Sequence, residues 1–170
     1  VLGMAHNRSP SALASASVRV ELLDADGAAL GGTVVPLPLS ILRPGALCPF
    51  RAAVVLAAAP VSARASLEAF LPSSNAAAEV GAGKVYSAPA PEGMSVRGSV
   101  RNAGAGPARV HEVVIAWRTG NRSLAGVAAA SVPRATVAVG GHLPWMALAP
   151  GSNPGTRFEV YVASSAMEGP

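Results

Sequence analysis

Along this chain of 170 residues, apolar positions recur in short alternating runs rather than at helical spacing. Residues 17–24 put Val18, Val20 and Leu22 on one face and Arg19 and Glu21 on the other. That period of two is the pattern of a half-buried strand. Residues 61–71 repeat it, with Val61, Ala63, Ala65, Leu67 and Leu71 set against Ser62, Arg64, Ser66 and Glu68. Further strands are expected at 1–7, 29–35, 94–102, 109–118, 123–131 and 156–163, with a less defined one at 135–139 and a short one at Lys84–Ser87. An apolar strand is expected at 47–57 around Phe50, Val54 and Leu56. Asp24-Ala25-Asp26-Gly27 supplies a tight turn with glycine placed for positive φ. Only the alanine-rich pieces at 52–59 and 76–79 could support a turn or two of helix. Evenly spaced short strands of this kind predict an all-β fold built from antiparallel β-sandwiches.

The pattern also repeats. Gly3 and Asn7 recur as Gly98 and Asn102, both 95 positions later. At the same offset Val18 falls on Val113, Val20 on Ile115, Leu22 on Trp117 and Gly31 on Gly126. This is a duplicated domain: repeat one at 1–72, a Pro/Ala/Gly-rich linker at 73–93, and repeat two at 94–170. The Pro44-Gly45 pair finds its visible match at Pro150-Gly151, an offset of 106, which predicts 11 extra residues in repeat two. Those residues would form a loop holding Trp145 over one end of the sandwich. Matching Phe158 to Phe50 then leaves repeat two short of its last strand, with an incompletely paired edge beside 156–163. That edge would recruit a strand from a longer chain, from Lys84–Ser87, or from another molecule.

Composition sharpens the picture. The chain is 51% apolar but only 4% aromatic, so its core is built mainly from Ala and Val. Charged residues are 13%, about half the usual share. The net charge is +4, and most of it belongs to residues 94–170, which hold seven Arg and three Glu. Such a balance invites nucleic acid, but Arg alternating with apolar residues, without an aromatic platform, argues against it. No apolar run reaches the ~20 residues that span a bilayer. The chain starts at Val1 inside a strand, as expected if an export signal or anchor has been removed.

The order G-x-x-x-N, then V-x-L-L-D-A-D-G, then a strand and P-G before an apolar strand, resembles the FxLYD domain family. In repeat one the matching residues are Gly3, Asn7, Val20, Leu22, Leu23, Asp24, Gly27, Pro44, Gly45 and Phe50. In repeat two they are Gly98, Val100, Asn102, Pro107, Pro150, Gly151 and Phe158, while Ile115-Ala116-Trp117-Arg118-Thr119 departs from the naming motif. The resemblance implies small immunoglobulin-like sandwiches in exported or surface-anchored bacterial and archaeal proteins. It implies no catalytic residues. Other bacterial immunoglobulin-like adhesion repeats share the strand ending and are a second resemblance.

Candidate chemistry is sparse. Asp24, Asp26 and Gly27 lack the glutamate that a calcium loop needs twelve positions along, where Val35 stands. His6, His111 and His142 have no metal-ligand spacing, and Cys48 is a lone cysteine in an apolar run. No nucleophile elbow or phosphate loop is present. Asn7-Arg8-Ser9 and Asn121-Arg122-Ser123 fit a glycosylation acceptor pattern, but Asn7 is more simply a turn residue. The sequence therefore predicts a non-catalytic structural or interaction module with no cofactor or metal. It would act outside the cytoplasm as a spacer or adhesion pair with a protein or cell-surface polymer as partner. The alternative is a carbohydrate- or wall-polymer-binding module. Its contact surface would be Arg97, Arg101 and Arg118, all pointing to solvent, with Trp145 in its loop.

Overall fold

The computed structural model describes residues 1–72, 78–120 and 122–167. The Ser-Ser-Asn run of the expected linker and the acceptor Asn121 lie outside them. The described residues are all-β, with antiparallel sheets and no helix.

The first half holds six strands: β1 (Leu2–His6), β2 (Leu13–Leu23), β3 (Ala29–Pro36), β4 (Ile41–Leu42), β5 (Leu47–Arg51) and β6 (Ser62–Pro72). β2 lies between β6 on one side and β3 followed by β4 on the other. β1 and β5 form a separate two-stranded sheet. Alternation decides which side chains meet between the sheets. Val18, Val20 and Leu22 of β2 are buried and cluster with Cys48 and Phe50 of β5.

The second half begins with β7 (Val80–Ala90), followed by β8 (Gly93–Asn102), β9 (Ala108–Arg118), β10 (Leu124–Ala129), β11 (Thr136–Val137), β12 (His142–Pro150) and β13 (Arg157–Ala166). β9 lies between β13 and β10 followed by β11, as β2 does between β6 and β3 followed by β4. β8 lies between β12 and β7. Val113, Ile115 and Trp117 of β9 cluster with Val96, Val100 and Trp145. The six core positions expected from alternation in the two repeats are all buried.

The offset of 95 runs through the four ladders that the repeats share. Gly3 pairs with Phe50 and Gly98 with Trp145. Leu22 pairs with Gly31, and Trp117 with Gly126. Leu13 pairs with Leu42, and Ala108 with Val137. Val18 pairs with Leu67, and Val113 with Val162. The buried asparagines reproduce one another's three bonds to backbone, and Asn7 also accepts from the Ser9 hydroxyl at 2.7 Å. The Asn7 amide donates to Ser11 O and Leu42 O, both at 2.9 Å, and its Oδ1 accepts from Ser9 N–H at 3.0 Å. Asn102 donates to Gly106 O at 2.8 Å and Val137 O at 2.9 Å, and accepts from Gly104 N–H at 3.0 Å.

These pairings correct the expected insertion. The counterpart of Gly45 is Gly140, and both have φ of 73°. The turn requires glycine's positive φ and is indifferent to the proline before it, so Val139 stands where Pro44 does. No extra residues intervene, and Trp145 lies inside β12, not in a loop. The counterpart of Phe50 is Trp145, with each ring stacked over a strand glycine. A Cβ at Gly98 would come within 2.7 Å of the Trp145 ring.

The missing strand also changes sides. β13 pairs along β9 from Arg157 to Ala166, so repeat two is not short of its last strand. Much of the expected linker is β7, far longer than Lys84–Ser87, and it pairs along β8 from Asn102 to Gly93. Pro91 and Glu92 turn the hairpin, and Gly93 takes a φ of 145° against β12 backbone that a Cβ would strike. Repeat one has no equivalent of β7 among the described residues, so its short sheet has two strands where repeat two has three. The strand expected at 47–57 ends at Arg51, although Val54 and Leu56 still pack on the core.

The halves are joined by buried contacts. Val114 and Ala163 belong to repeat one's apolar cluster. The Glu112 carboxylate accepts from Ser40 N–H at 3.1 Å and from its hydroxyl at 2.6 Å, and Arg43 donates to Ser164 Oγ at 2.7 Å. Burial lowers the Arg43 pKa from its ordinary value, partly offset by Glu79.

Candidate functional site

The expected contact residues fall in three environments. Arg97 and Arg101 lie four residues apart on β8 and are exposed. Strand alternation puts them on the outer face of the β12-β8-β7 sheet, because Val96 and Val100, each next to one of them, face the core. Arg97 is flanked across the strands by Tyr86 and Met146, and Arg101 by Gly81 and His142. Cross-strand neighbours of this kind sit about 5 Å apart. Tyr86 and Met146 are each 57% exposed. With Lys84 and Pro144 they line a broad, shallow depression of about 1030 Å³. No carboxylate lines it, and Arg97 and Arg101 have no ion pair among the described residues.

Arg118 does not join this face. It lies on β9, is only half-exposed, and its Nε donates to Glu159 at 2.8 Å. Its Nη1 donates to Arg122 O at 2.9 Å, and Tyr161 donates its hydroxyl to the same Glu159 carboxylate at 2.7 Å. The hydrogen bond from Arg118, then that from Tyr161, lowers the Glu159 pKa, and burial followed by the carboxylate pushes the Tyr161 phenol up to about 12. This cluster neutralises itself and presents no free cation. The expectation of Arg118 as a solvent-facing contact is therefore corrected.

Trp145 is also displaced from its expected role. It is 3% exposed and faces the core beneath the Arg97 row. Its Nε1 has no hydrogen-bond partner, so the indole serves here by shape, at the usual cost of an unpaired buried donor. Sequence reasoning places Tyr86 in the short strand at Lys84–Ser87 but not beside the arginines, because the pattern alone does not show that this strand pairs with β8. Its signal was present in the Val85-Tyr86 pair, which favours strand.

Several other candidate groups are tied into the structure. Asp24 Oδ1 accepts from Asp26 N–H at 3.0 Å and Ala28 N–H at 2.8 Å, the work of a hairpin turn. His111 Nε2 is 2.9 Å from Ser165 Oγ, and His6 Nδ1 accepts from Arg8. Cys48 is buried, and burial pushes its thiol up to about 11, so it stays protonated at neutral pH. No group of three metal-ligating side chains converges among the described residues, and no described helix is long and apolar enough to cross a membrane.

No family model, curated protein or solved structure matches the chain.

Proposed function

We propose that this protein is a non-catalytic structural and interaction module of an exported or cell-surface protein. In this reading it is a tandem pair of immunoglobulin-like sandwiches of the FxLYD type, acting as a spacer or adhesion pair. One observation carries the reading: two copies of one strand plan meet through buried contacts at Val114 and Ala163 and through Glu112 on Ser40. A joint of that kind holds two repeats as one stiff unit, which suits a spacer better than a flexible string. The hydrogen-bonded turns at Asp24, Asn7 and Asn102 support the family reading, whereas Pro150, Gly151 and Phe158 do not stand at the motif positions. Backbone ¹⁵N relaxation tests the spacer reading. A single rotational correlation time for both repeats is expected, and two independent times would overturn it.

The second reading, binding of an anionic wall polymer, is favoured by the outer face holding Arg97 and Arg101 without a carboxylate. Its contact set is Arg97, Arg101, Tyr86 and His142, without Arg118 or Trp145. Titration with poly(glycerol phosphate) at rising salt tests it. Binding should weaken steeply with salt and disappear in the Arg97→Ala, Arg101→Ala pair, while Arg118→Ala leaves it intact. Binding that ignores salt, or is absent at low salt, would overturn it.

A further inference from the structure

We propose that repeat one takes an extended strand from another polypeptide along the free edge of β1, antiparallel to it, in the position that β7 holds against β8. The internal repeat is the control. β1 and β8 are equivalent strands, paired on one side with equivalent partners, β5 and β12. On the other side β8 carries β7, and β1 carries nothing among the described residues. The inference rests on this correspondence alone and holds whichever function of the pair is correct.

The backbone is presented for pairing. Ala52 N–H donates to Val1 O at 2.9 Å, which sets the parity of the β1–β5 ladder. Val1, Gly3 and Ala5 therefore bond towards β5, and the N–H and C=O groups of Leu2, Met4 and His6 point to the open side. Pro49, which has no N–H, stands opposite Met4, as that parity requires. The equivalents of Leu2 and His6 are Arg97 and Arg101, which pair with Tyr86 and Gly81 of β7.

The side chains leave room for the same strand. Leu67 pairs with Val18 on the core side of β6 yet is 50% exposed, and Phe70 is 48% exposed. By pairing, their equivalents on β13 are half-buried Val162 and buried Ser164, because the ladder shifts by one residue at the bulge. A groove of about 510 Å³ runs between β1 and β6, lined by Leu13, Leu37, Phe50, Leu67 and Phe70. No carboxylate lines it, and Arg8 and His6 stand at one end. In repeat two, Val80 packs on the core and Ser164 donates to Ala78 O at 3.2 Å, which closes this gap.

The occupant is thereby defined. It is an extended segment with small or apolar side chains at alternate positions, like Val80, Ala82 and Val85 of β7. Its leading end carries an acidic residue beside Arg8. In repeat two Ala103, the equivalent of Arg8, donates its N–H to Glu79 O, so Glu79 occupies that place.

The synthetic peptide of residues 78–90 is the probe, added to the intact ¹⁵N-labelled chain. Amide exchange at Leu2, Met4 and His6 should slow by about tenfold or more at saturation, with Arg97, Ser99 and Arg101 unchanged. Methylating the peptide at the Gly81 and Tyr86 nitrogens, which face the ladder, should abolish the effect. Methylating Ala82 and Ser87, which face away, should preserve it. Met4→Pro in the protein removes one open-edge donor without touching the β5 ladder and should weaken binding by about tenfold. Absence of protection at millimolar peptide, equal loss with both methylated peptides, or perturbation at Arg97 and Arg101 instead would overturn the proposal. Protection that appears on concentrating the protein alone would assign the edge to a second copy and would equally overturn it.

Discussion

The two repeats share four ladders, in the same register except for a one-residue shift past the bulge beside β6 and β13, yet one is closed and the other open. β6 is exposed along its described side chains from Ser62 to Leu71, whereas β13 is half-buried over Phe158–Val162 and fully buried over Ala163–Ser165. The apolar pattern of β6 is no weaker than that of β13: Ala65, Leu67 and Phe70 are available to be covered. The difference lies in what packs against each strand: β13 meets the residues leading into β7 through Ser164 on Ala78 and meets repeat one through Ala163 and Arg43. A sandwich face is thus buried by what packs against it, and a correct period of two says which side chains point inward but not whether anything meets them.

The largest effect should come where this comparison is sharpest. Gly98→Val would push a side chain against both the Trp145 ring and the Lys84 carbonyl of β7, at 2.8 Å from its Cβ. At Gly3 the three atoms nearest to an added Cβ all belong to the Phe50 ring and none to backbone. We expect Gly98→Val to destabilise by about 3 kcal/mol or more and Gly3→Val by roughly half as much, measured by urea unfolding. Equal costs would mean that β7 does not constrain β8. Asn102→Ala and Asn7→Ala should each cost about 2–3 kcal/mol, because each leaves two carbonyls and one N–H without that partner, while the Ser9 hydroxyl released by Asn7→Ala keeps Ser11 O. A difference above about 1 kcal/mol between them would break the equivalence of their bonds to backbone. Truncating Ile115 to Ala should cost about 3–4 kcal/mol, and Leu67 to Ala under about 1 kcal/mol, since the first is fully buried and the second half-exposed in the groove.

Acid should separate the repeats least. Glu159 and Glu68 both have lowered folded pKa values, first through hydrogen bonds from Arg118 and Arg19 respectively. A lowered carboxylate pKa stabilises the folded state above the ordinary glutamate range, and this contribution is lost as pH falls through the folded value. Thermal stability should therefore drop below about pH 4.5, and Glu159→Gln should flatten that drop modestly. Glu68→Gln should change it less, because the Arg19–Glu68 pair lies on an exposed face.

The all-β class, the six core positions and the first 31 residues of the repeat were legible because they rest on period two and on glycine and asparagine with fixed turn roles. Register past Gly126 was not, because the Pro-Gly spelling drew the match to Pro150-Gly151. What the backbone needs at that corner is only the positive φ shared by Gly45 and Gly140. The more telling signal was glycine opposite an aromatic ring, Gly3 with Phe50 and Gly98 with Trp145, a pairing that tolerates a change of ring. β7 was hidden because Gly81, Gly83, Pro89 and Pro91 read as a breaker-rich linker. Pro89 lies near the end of β7, an edge strand that pairs only with β8, where its missing N–H is tolerated. Of the contact surface, Arg97 and Arg101 followed from alternation, whereas the neutralising of Arg118 depended on Glu159, which sits 41 positions away.

β9 serves two cores at once. From Val113 to Trp117 every residue is buried, because odd positions face the repeat-two interior and Val114 turns to repeat one. Such a strand has no neutral side on which mutations can accumulate, so substitutions tolerated at Arg19 or Glu21 of β2 have no counterpart at Val114 or Ala116. It also sets the unit of inheritance. A recombination breakpoint between the halves would expose an apolar scar on each product, so this pair should pass between proteins whole and not as single repeats.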